Sequence, residues 1–213
     1  MIDPAEFVSV VTPLIAGNDI HAVVDSLQQR WTPTQIASLL AGEDVDARKV
    51  AALCLALVGR KCALEPLQRV LGDPDPIVHQ MAEHAMWSIW FRAGSEEANC
   101  HLARGAMALE NRKFECACKH FCRAIEIDPD FAEPYNQRAI VKHLNEQYAE
   151  SILDCRKAIE RMPCHFGAWA GKGHCHAHMG NIGEAIRCYS QALQINPRLE
   201  GIRQAVQQLR CSL

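Results

Sequence analysis

Apolar positions recur with helical spacing along the whole chain, and no stretch reads convincingly as a strand. An apolar run from Phe7 to Ile15 stops at Gly17, and Asn18 or Asp19 can cap a second helix, so residues 1–30 read as two short helices. Thr32-Pro33 starts a third helix, with a cap and a first-turn proline, carrying Ile36, Leu39 and Leu40 on one side. Asp44 can cap the next, which holds Val50, Ala51, Leu53, Cys54, Leu57 and Val58 before Gly59. A shorter helix over residues 64–71 ends at Gly72, and Asp75 caps the helix that begins at Pro76 and runs to about Arg92. Its end, Met86-Trp87-Ser88-Ile89-Trp90-Phe91, is apolar almost all round, the pattern of a helix buried on more than one side. After Arg92-Ala93-Gly94, Ser95 caps another helix, with Glu96 and Glu97 in its first turn. Residues 199–210 read as an amphipathic helix with Leu199, Ile202, Val206 and Leu209 on one face, and Arg203, Gln204, Gln207 and Arg210 turned to water.

Between residues 98 and 197 the same residue types return every 34 positions. Pro129, Pro163 and Pro197 form a ladder. Five before each stand Ala124, Ala158 and Ala192; eight before, Phe121, Cys155 and Tyr189; twelve before, Ala117, Ser151 and Ala185. Phe114, Tyr148 and Ile182 stand fifteen before, Gly105, Ala139 and Gly173 twenty-four before, and His101, Tyr135 and Trp169 twenty-eight before. A period of 34 with helical content means one helical hairpin used three times. Small residues let the two helices of a hairpin approach, large apolar residues fill the space between hairpins, and each proline closes a unit because it cannot continue a helix. One hairpin cannot bury its own apolar face and needs neighbours.

This spacing resembles the tetratricopeptide repeat (TPR) family. The third copy matches best, with Trp169, Gly173, Ala185, Tyr189 and Pro197, and departs at His176, where the family prefers tyrosine. The second copy departs with Ser151 and Cys155 at two packing places. The resemblance covers about half of the chain and implies an all-α fold, a right-handed α–α superhelix whose first helices line a concave groove that holds peptides. It also implies which residues face that groove: Asn99, Leu102, Ala106, Leu109 and Glu110; Glu133, Asn136, Ile140, His143 and Leu144; Gly167, Ala170, His174, Ala177 and His178. Some family members clamp a chaperone's terminal carboxylate with cations and amides. Leu102, Ala106, Gly167 and Gly171 stand at four of those places, so no such clamp is expected here. The implied partner is another protein, met through an apolar peptide segment or a helix.

Residues 32–94 carry a different repeat. A shift of 31 aligns Leu40 with Leu71, Asp44 with Asp75, Ala51 with Ala82 and Val58 with Ile89. This resembles a short HEAT-like repeat, of the type also found in phycobilin lyases. Arg48 matches the arginine such repeats carry early in the second helix, and His79 replaces it in the next copy. The expected order is N-terminal capping helices over 1–31, HEAT-like repeats over 32–94, three TPR hairpins over 95–197 and a C-terminal capping helix over 198–213, joined in one rigid superhelix. Trp87 and Trp90 can be read as an aromatic platform or as junction core, and the apolar surroundings favour core.

Charge and chemistry add little that changes this picture. The formal net charge of −3, with no long basic run, argues against nucleic acid and anionic membranes as the main partner. No apolar stretch is long enough to span a bilayer, and an acidic start argues against a secretion signal. Eleven cysteines, an odd number inside helical patterns, read as reduced thiols in a cytoplasmic protein. His174 and His178 share a helix face, and His143 looks toward them from the previous hairpin, which makes these three the candidate metal ligands. His176 points the other way, however, and polar groove residues or satisfied core histidines account for the cluster without a metal. Cys118 and Cys122 flank the packing residues Ala117 and Phe121 and read as small apolar residues. No phosphate loop, G-x-S-x-G elbow or H-E-x-x-H helix is present, and Cys164-His165 and Cys175-His176 lack an orienting third group. The expectation is a non-catalytic adaptor without cofactor. The alternatives are a lyase-like or chaperone-like HEAT protein acting on a bound cofactor, or a His/Cys metal or redox sensor.

Overall fold

The computed structural model of the protein describes residues 2–211. Among these residues there are thirteen α-helices and no β-strand. The chain divides into two compact units, Met1–Trp90 and Phe91–Leu213.

The first unit holds α1 (Pro4–Ala16), α2 (Ile20–Arg30), α3 (Pro33–Ser38), α4 (Val45–Val58), α5 (Leu64–Arg69) and α6 (Pro76–Phe91), with short 3-10 turns after α3 and on either side of α5. Side chains set most of the starts. Asp3, Asp19, Asp44 and Asp75 each accept backbone N–H groups of the first turn, and Thr32 with Gln35 forms a capping box. Asp19 is the cap of α2, while Asn18 makes the turn before it with φ of 55°. Helix α4 packs against α1, α2 and α3. Its buried Ala47, Ala51 and Ala52 let those neighbours come close around Leu55. Arg48 joins two loops: its Nε donates to Asp73 Oδ2 at 2.9 Å, and its Nη1 donates to the carbonyls of Gly42 and Glu43. Trp90 is buried and meets Trp87 edge to face at 5.0 Å, so it is core and not an exposed platform.

The second unit is three helical hairpins and a closing helix: α7 (Glu96–Glu110) with α8 (Phe114–Ile127), α9 (Ala132–Leu144) with α10 (Tyr148–Arg161), α11 (Phe166–His178) with α12 (Ile182–Ile195), and α13 (Glu200–Cys211). Each hairpin packs on the next, and α13 packs on α12. The period of 34 appears in backbone as well as side chains. Every hairpin turns through a left-handed residue, Arg112, Glu146 or Gly180, with φ of 57°, 59° and 74°. Only the third uses glycine, the residue that adopts this conformation without a steric penalty. The proline ladder has a matching device. Six residues after each proline, a side chain donates back to that proline's carbonyl just beyond the helix end: Tyr135 Oη to Pro129, Trp169 Nε1 to Pro163 and Arg203 to Pro197.

Within each hairpin, one pair of positions sets how closely the helices approach. A methyl group on Gly105 would lie 2.4 Å from the ring of Phe121, and one on Gly173 would lie 2.5 Å from the ring of Tyr189. Glycine is required there because the aromatic ring of the second helix lies against the backbone of the first. The middle hairpin solves the same contact differently, with Ala139 facing Cys155.

The hairpins are also joined by a buried polar group. Glu133, in the first turn of α9, and His165, which caps α11, are both fully buried. Glu133 Oε1 accepts from Asn136 Nδ2 at 3.1 Å and Gln137 Nε2 at 2.7 Å. His165 Nδ1 accepts from the backbone N–H of Ala168, so the ring proton sits on Nε2 and is donated to Glu133 Oε2 at 2.7 Å. A buried carboxylate thus has three donors and the positive end of α9.

Candidate functional site

The middle hairpin's exchange of an aromatic ring for Cys155 removes side-chain volume that its neighbours have. A recess of about 220 Å³ lies at that place. Helix α9 contributes Asn136, Ala139, Ile140 and His143, α10 contributes Ser151 and Cys155, and α11 contributes Gly171 and His174. Gly171 adds to the room, since a methyl there would reach Cys155 Sγ only at 3.5 Å, an ordinary contact.

Several polar atoms of the lining are engaged with the protein. Ser151 Oγ donates to the carbonyl of Ala139 at 2.8 Å and accepts from Cys175 Sγ at 3.2 Å. Asn136 Nδ2 is given to Glu133, His143 Nδ1 lies 3.4 Å from Cys175 Sγ, and His174 Nδ1 pairs with Tyr189 Oη at 2.8 Å. The exposed surface of the recess is therefore almost wholly apolar. Beside it, His143 meets His178 at 5.1 Å, and His178 stacks on Tyr148 at 4.9 Å. Ile140 and Leu144, four residues apart on α9, continue the apolar surface outward and are exposed.

Burial shifts Cys155, Cys175, His143 and His174 toward their neutral forms. Burial pushes the Cys155 thiol up to about 12 and raises Cys175 as well. Burial lowers His143 and His174; for His143 the charge of His178 adds to this, and for His174 those of His143 and His178. His174 is exposed by area, but its ring is packed among these neighbours closely enough for desolvation to come first. A protonated thiol is a poor nucleophile, and burial favours the protonated form of both thiols. Among the described residues, no group of three His, Cys, Asp or Glu side chains is placed to hold a metal ion; His143, His174 and His178 form an imidazole wall.

These shifts carry a pH dependence. His120 and His176 are also lowered by burial. With the folded values below the ordinary 6.5, the unfolded chain takes up protons first as pH falls. The stability these histidines contribute is complete above about 6.5 and is lost as pH drops toward their folded values. The melting temperature should therefore be lower at pH 5 than at pH 7.5, well above the range where Asp154, lowered from 3.8, titrates. The double change H143Q/H174Q should flatten the difference, and an unchanged slope would contradict the assignment.

Of the groove residues expected from the sequence, Asn136, Ile140, His143 and His174 line this one recess and His178 stands beside it. Others lie elsewhere. Leu102 is fully buried in the core with Phe121 and Phe131, and Leu109 packs against that cluster. Glu133 is buried under His165 and does not face a groove, because its carboxylate is the acceptor for three buried donors. Ala170 packs against the cluster of Tyr189, Ile202 and Val206, and Ala106 is half-buried on α7. Ala139, Ser151, Cys155 and Gly171 were not among the expected site residues. The signal for two of them was in the repeat, where Ser151 and Cys155 depart from the small and aromatic residues of the other copies. Cys118 and Cys122 are half-buried, and Cys122 Sγ accepts from Arg138 Nη1. The Cys164-His165 pair is not a nucleophile and base, since His165 is turned to Glu133.

Comparison with known proteins agrees with the fold of the second unit. Residues 167–199 match the tetratricopeptide repeat family model. A TPR repeat-containing protein of Rhizobium etli is 28% identical over 51% of this chain and 53% of its own length. The Hsp70-Hsp90 organizing protein of Triticum aestivum is 27% identical over 47% of this chain and 17% of its own, and anaphase-promoting complex subunit 3 of Schizosaccharomyces pombe 34% over 48% and 15%. The chain thus spans about half the length of the first relative and less than a fifth of the other two. Among solved structures, the first TPR of Spaghetti bound to an HSP90 peptide superposes with a TM-score of 0.54 at 17% identity, covering 55% of this chain and 94% of that one. The Sgt2 TPR domain of Aspergillus fumigatus superposes with a TM-score of 0.53 at 16% identity, covering 56% and 81%. At these identities the likeness concerns the fold. Residues 167–199, the third hairpin, are thus similar to a tetratricopeptide repeat, and the three hairpins of the second unit stack as an α-solenoid with the fold of these TPR domains.

Proposed function

We propose that this protein is a non-catalytic adaptor whose TPR hairpins dock an apolar peptide or helix of another protein. One observation supports this above the rest: first-helix residues of two successive hairpins, Asn136, Ile140, His143 and His174, meet around one apolar recess. Burial shifts Cys155, His143 and His174 toward their neutral forms, which suits holding a segment better than transforming one.

The partner segment is apolar and not an acidic chain end. The four places where a carboxylate clamp would need cations and amides hold Leu102, Ala106, Gly167 and Gly171, and Leu102 is fully buried. The cations of α9 are already committed: Arg138 and Lys142 both donate to the buried Asp154, at 2.8 and 2.7 Å. The HSP90 peptide SRMEEVD, which a structural neighbour binds, should accordingly show no saturable binding here. For the first unit, the Arg48 bonds to Asp73, Gly42 and Glu43 support a HEAT-like reading of residues 32–94.

The test is affinity capture with the full chain and with the triple change N136A/I140D/H174A, followed by mass spectrometry. Proteins that bind the first and are lost from the second support docking at this groove. An identical set of proteins on both would overturn it.

A further inference from the structure

We infer that the recess between the second and third hairpins is an anchor pocket for one uncharged side chain of leucine or methionine size, carried by the partner polypeptide. This rests on the docking role proposed above and specifies how the partner is held. The repeat itself points to the pocket. Phe121 and Tyr189 fill the hairpin interior in the first and third copies, against Gly105 and Gly173. The middle copy has neither the ring nor a compensating residue: Ala139 returns one methyl group, and the volume left over opens between α9, α10 and α11. The recess is open to solvent on one side, so a partner's side chain can enter and fill it.

Size and chemistry select the occupant. The recess, about 220 Å³, is smaller than the roughly 300–1,000 Å³ of small-molecule sites. It exceeds the roughly 150 Å³ apolar cavity that takes up benzene, so one aliphatic side chain fits. Ser151 Oγ, Asn136 Nδ2, His143 Nδ1 and His174 Nδ1 are all spent on internal partners. A polar or charged group entering the recess would lose its water and find little in exchange. The exposed Ile140 and Leu144 extend the apolar contact beyond the mouth, where the rest of a peptide would lie. Buried anchors of this kind, filling a pocket in the middle of a contact, carry a large share of binding energy.

The pocket can be closed by the chain's own alternative. The double change A139G/C155Y copies the glycine and tyrosine of the third hairpin into the second, and Gly171→Leu fills the same space from α11. Peptides selected from a random displayed library against the full-length wild-type protein serve as the probe, with binding measured by fluorescence anisotropy. The selected peptides should share Leu, Met, Ile or Phe at one position. Changing that residue to Asp, or closing the pocket by either route, should weaken binding at least tenfold, about 1.4 kcal/mol, while helical content and cooperative melting stay those of the wild type. C155A, which enlarges the recess, should retain binding. Peptides that bind both closed variants as well as the wild type, yet are lost with I140D, would overturn the pocket and leave the groove standing. Peptides indifferent to I140D, or a library that yields none, would overturn both.

Discussion

Replacing Glu133 with alanine should cost about 3–5 kcal/mol, because it removes the acceptor from three buried donors at once. Asn136 Nδ2, Gln137 Nε2 and His165 Nε2 all point at this carboxylate, and Glu133 and His165 have no exposed surface. Against a total stability of about 5–15 kcal/mol, that is a large fraction. The effect should be localised as well as large. The bond from Glu133 to His165 links the start of α9 to the start of α11, so its loss should raise amide hydrogen exchange in α11 and α12 before it does so in α7 and α8. Glu133→Gln keeps an oxygen for His165 and should be milder. The paired change E133L/H165L removes donor and acceptor together and should recover much of the loss. Urea unfolding of the three variants decides the matter, and a cost below about 1 kcal/mol for E133A would show that the network contributes little.

The second large effect concerns the glycine that lets a hairpin close. Gly173→Ala should destabilise by about 1–3 kcal/mol, although alanine is the better helix former by about 1 kcal/mol. The added methyl would lie 2.5 Å from a Tyr189 ring that is itself buried and bonded to His174. The sign should reverse when the ring is removed. In a Tyr189→Cys background, which imitates Ala139 facing Cys155, the same alanine should be neutral or stabilising. Tyr189→Cys alone should be costly, since it opens a cavity. The coupling between the two changes, read from a double-mutant cycle by thermal or urea unfolding, should exceed about 1 kcal/mol. Additive effects would mean that the ring and the glycine do not share one space.

Much of this molecule was legible before any coordinates. The proline ladder, the glycine and alanine positions and the caps Thr32, Asp44, Asp75 and Ser95 are local or periodic features, and the helices start where they indicate. The candidate site was only partly legible. Asn136, Ile140, His143 and His174 do come together, since a repeat carries its facing positions along with it. Leu102 and Glu133 share that register yet are buried, because register states which way a residue points and not what already covers it.

The amino-acid sequence by itself determined the all-helical repeat and the exchange of aromatic for cysteine at position 155. These follow from spacing, capping and side-chain size, which act within some 34 residues. Only the tertiary structure decided that the missing volume opens between α9, α10 and α11, that His165 and Glu133 share a buried hydrogen bond across 32 residues, and that His143, His174 and His178 stand as a wall. Those outcomes depend on distances between side chains of different hairpins, and such distances are set when the helices pack.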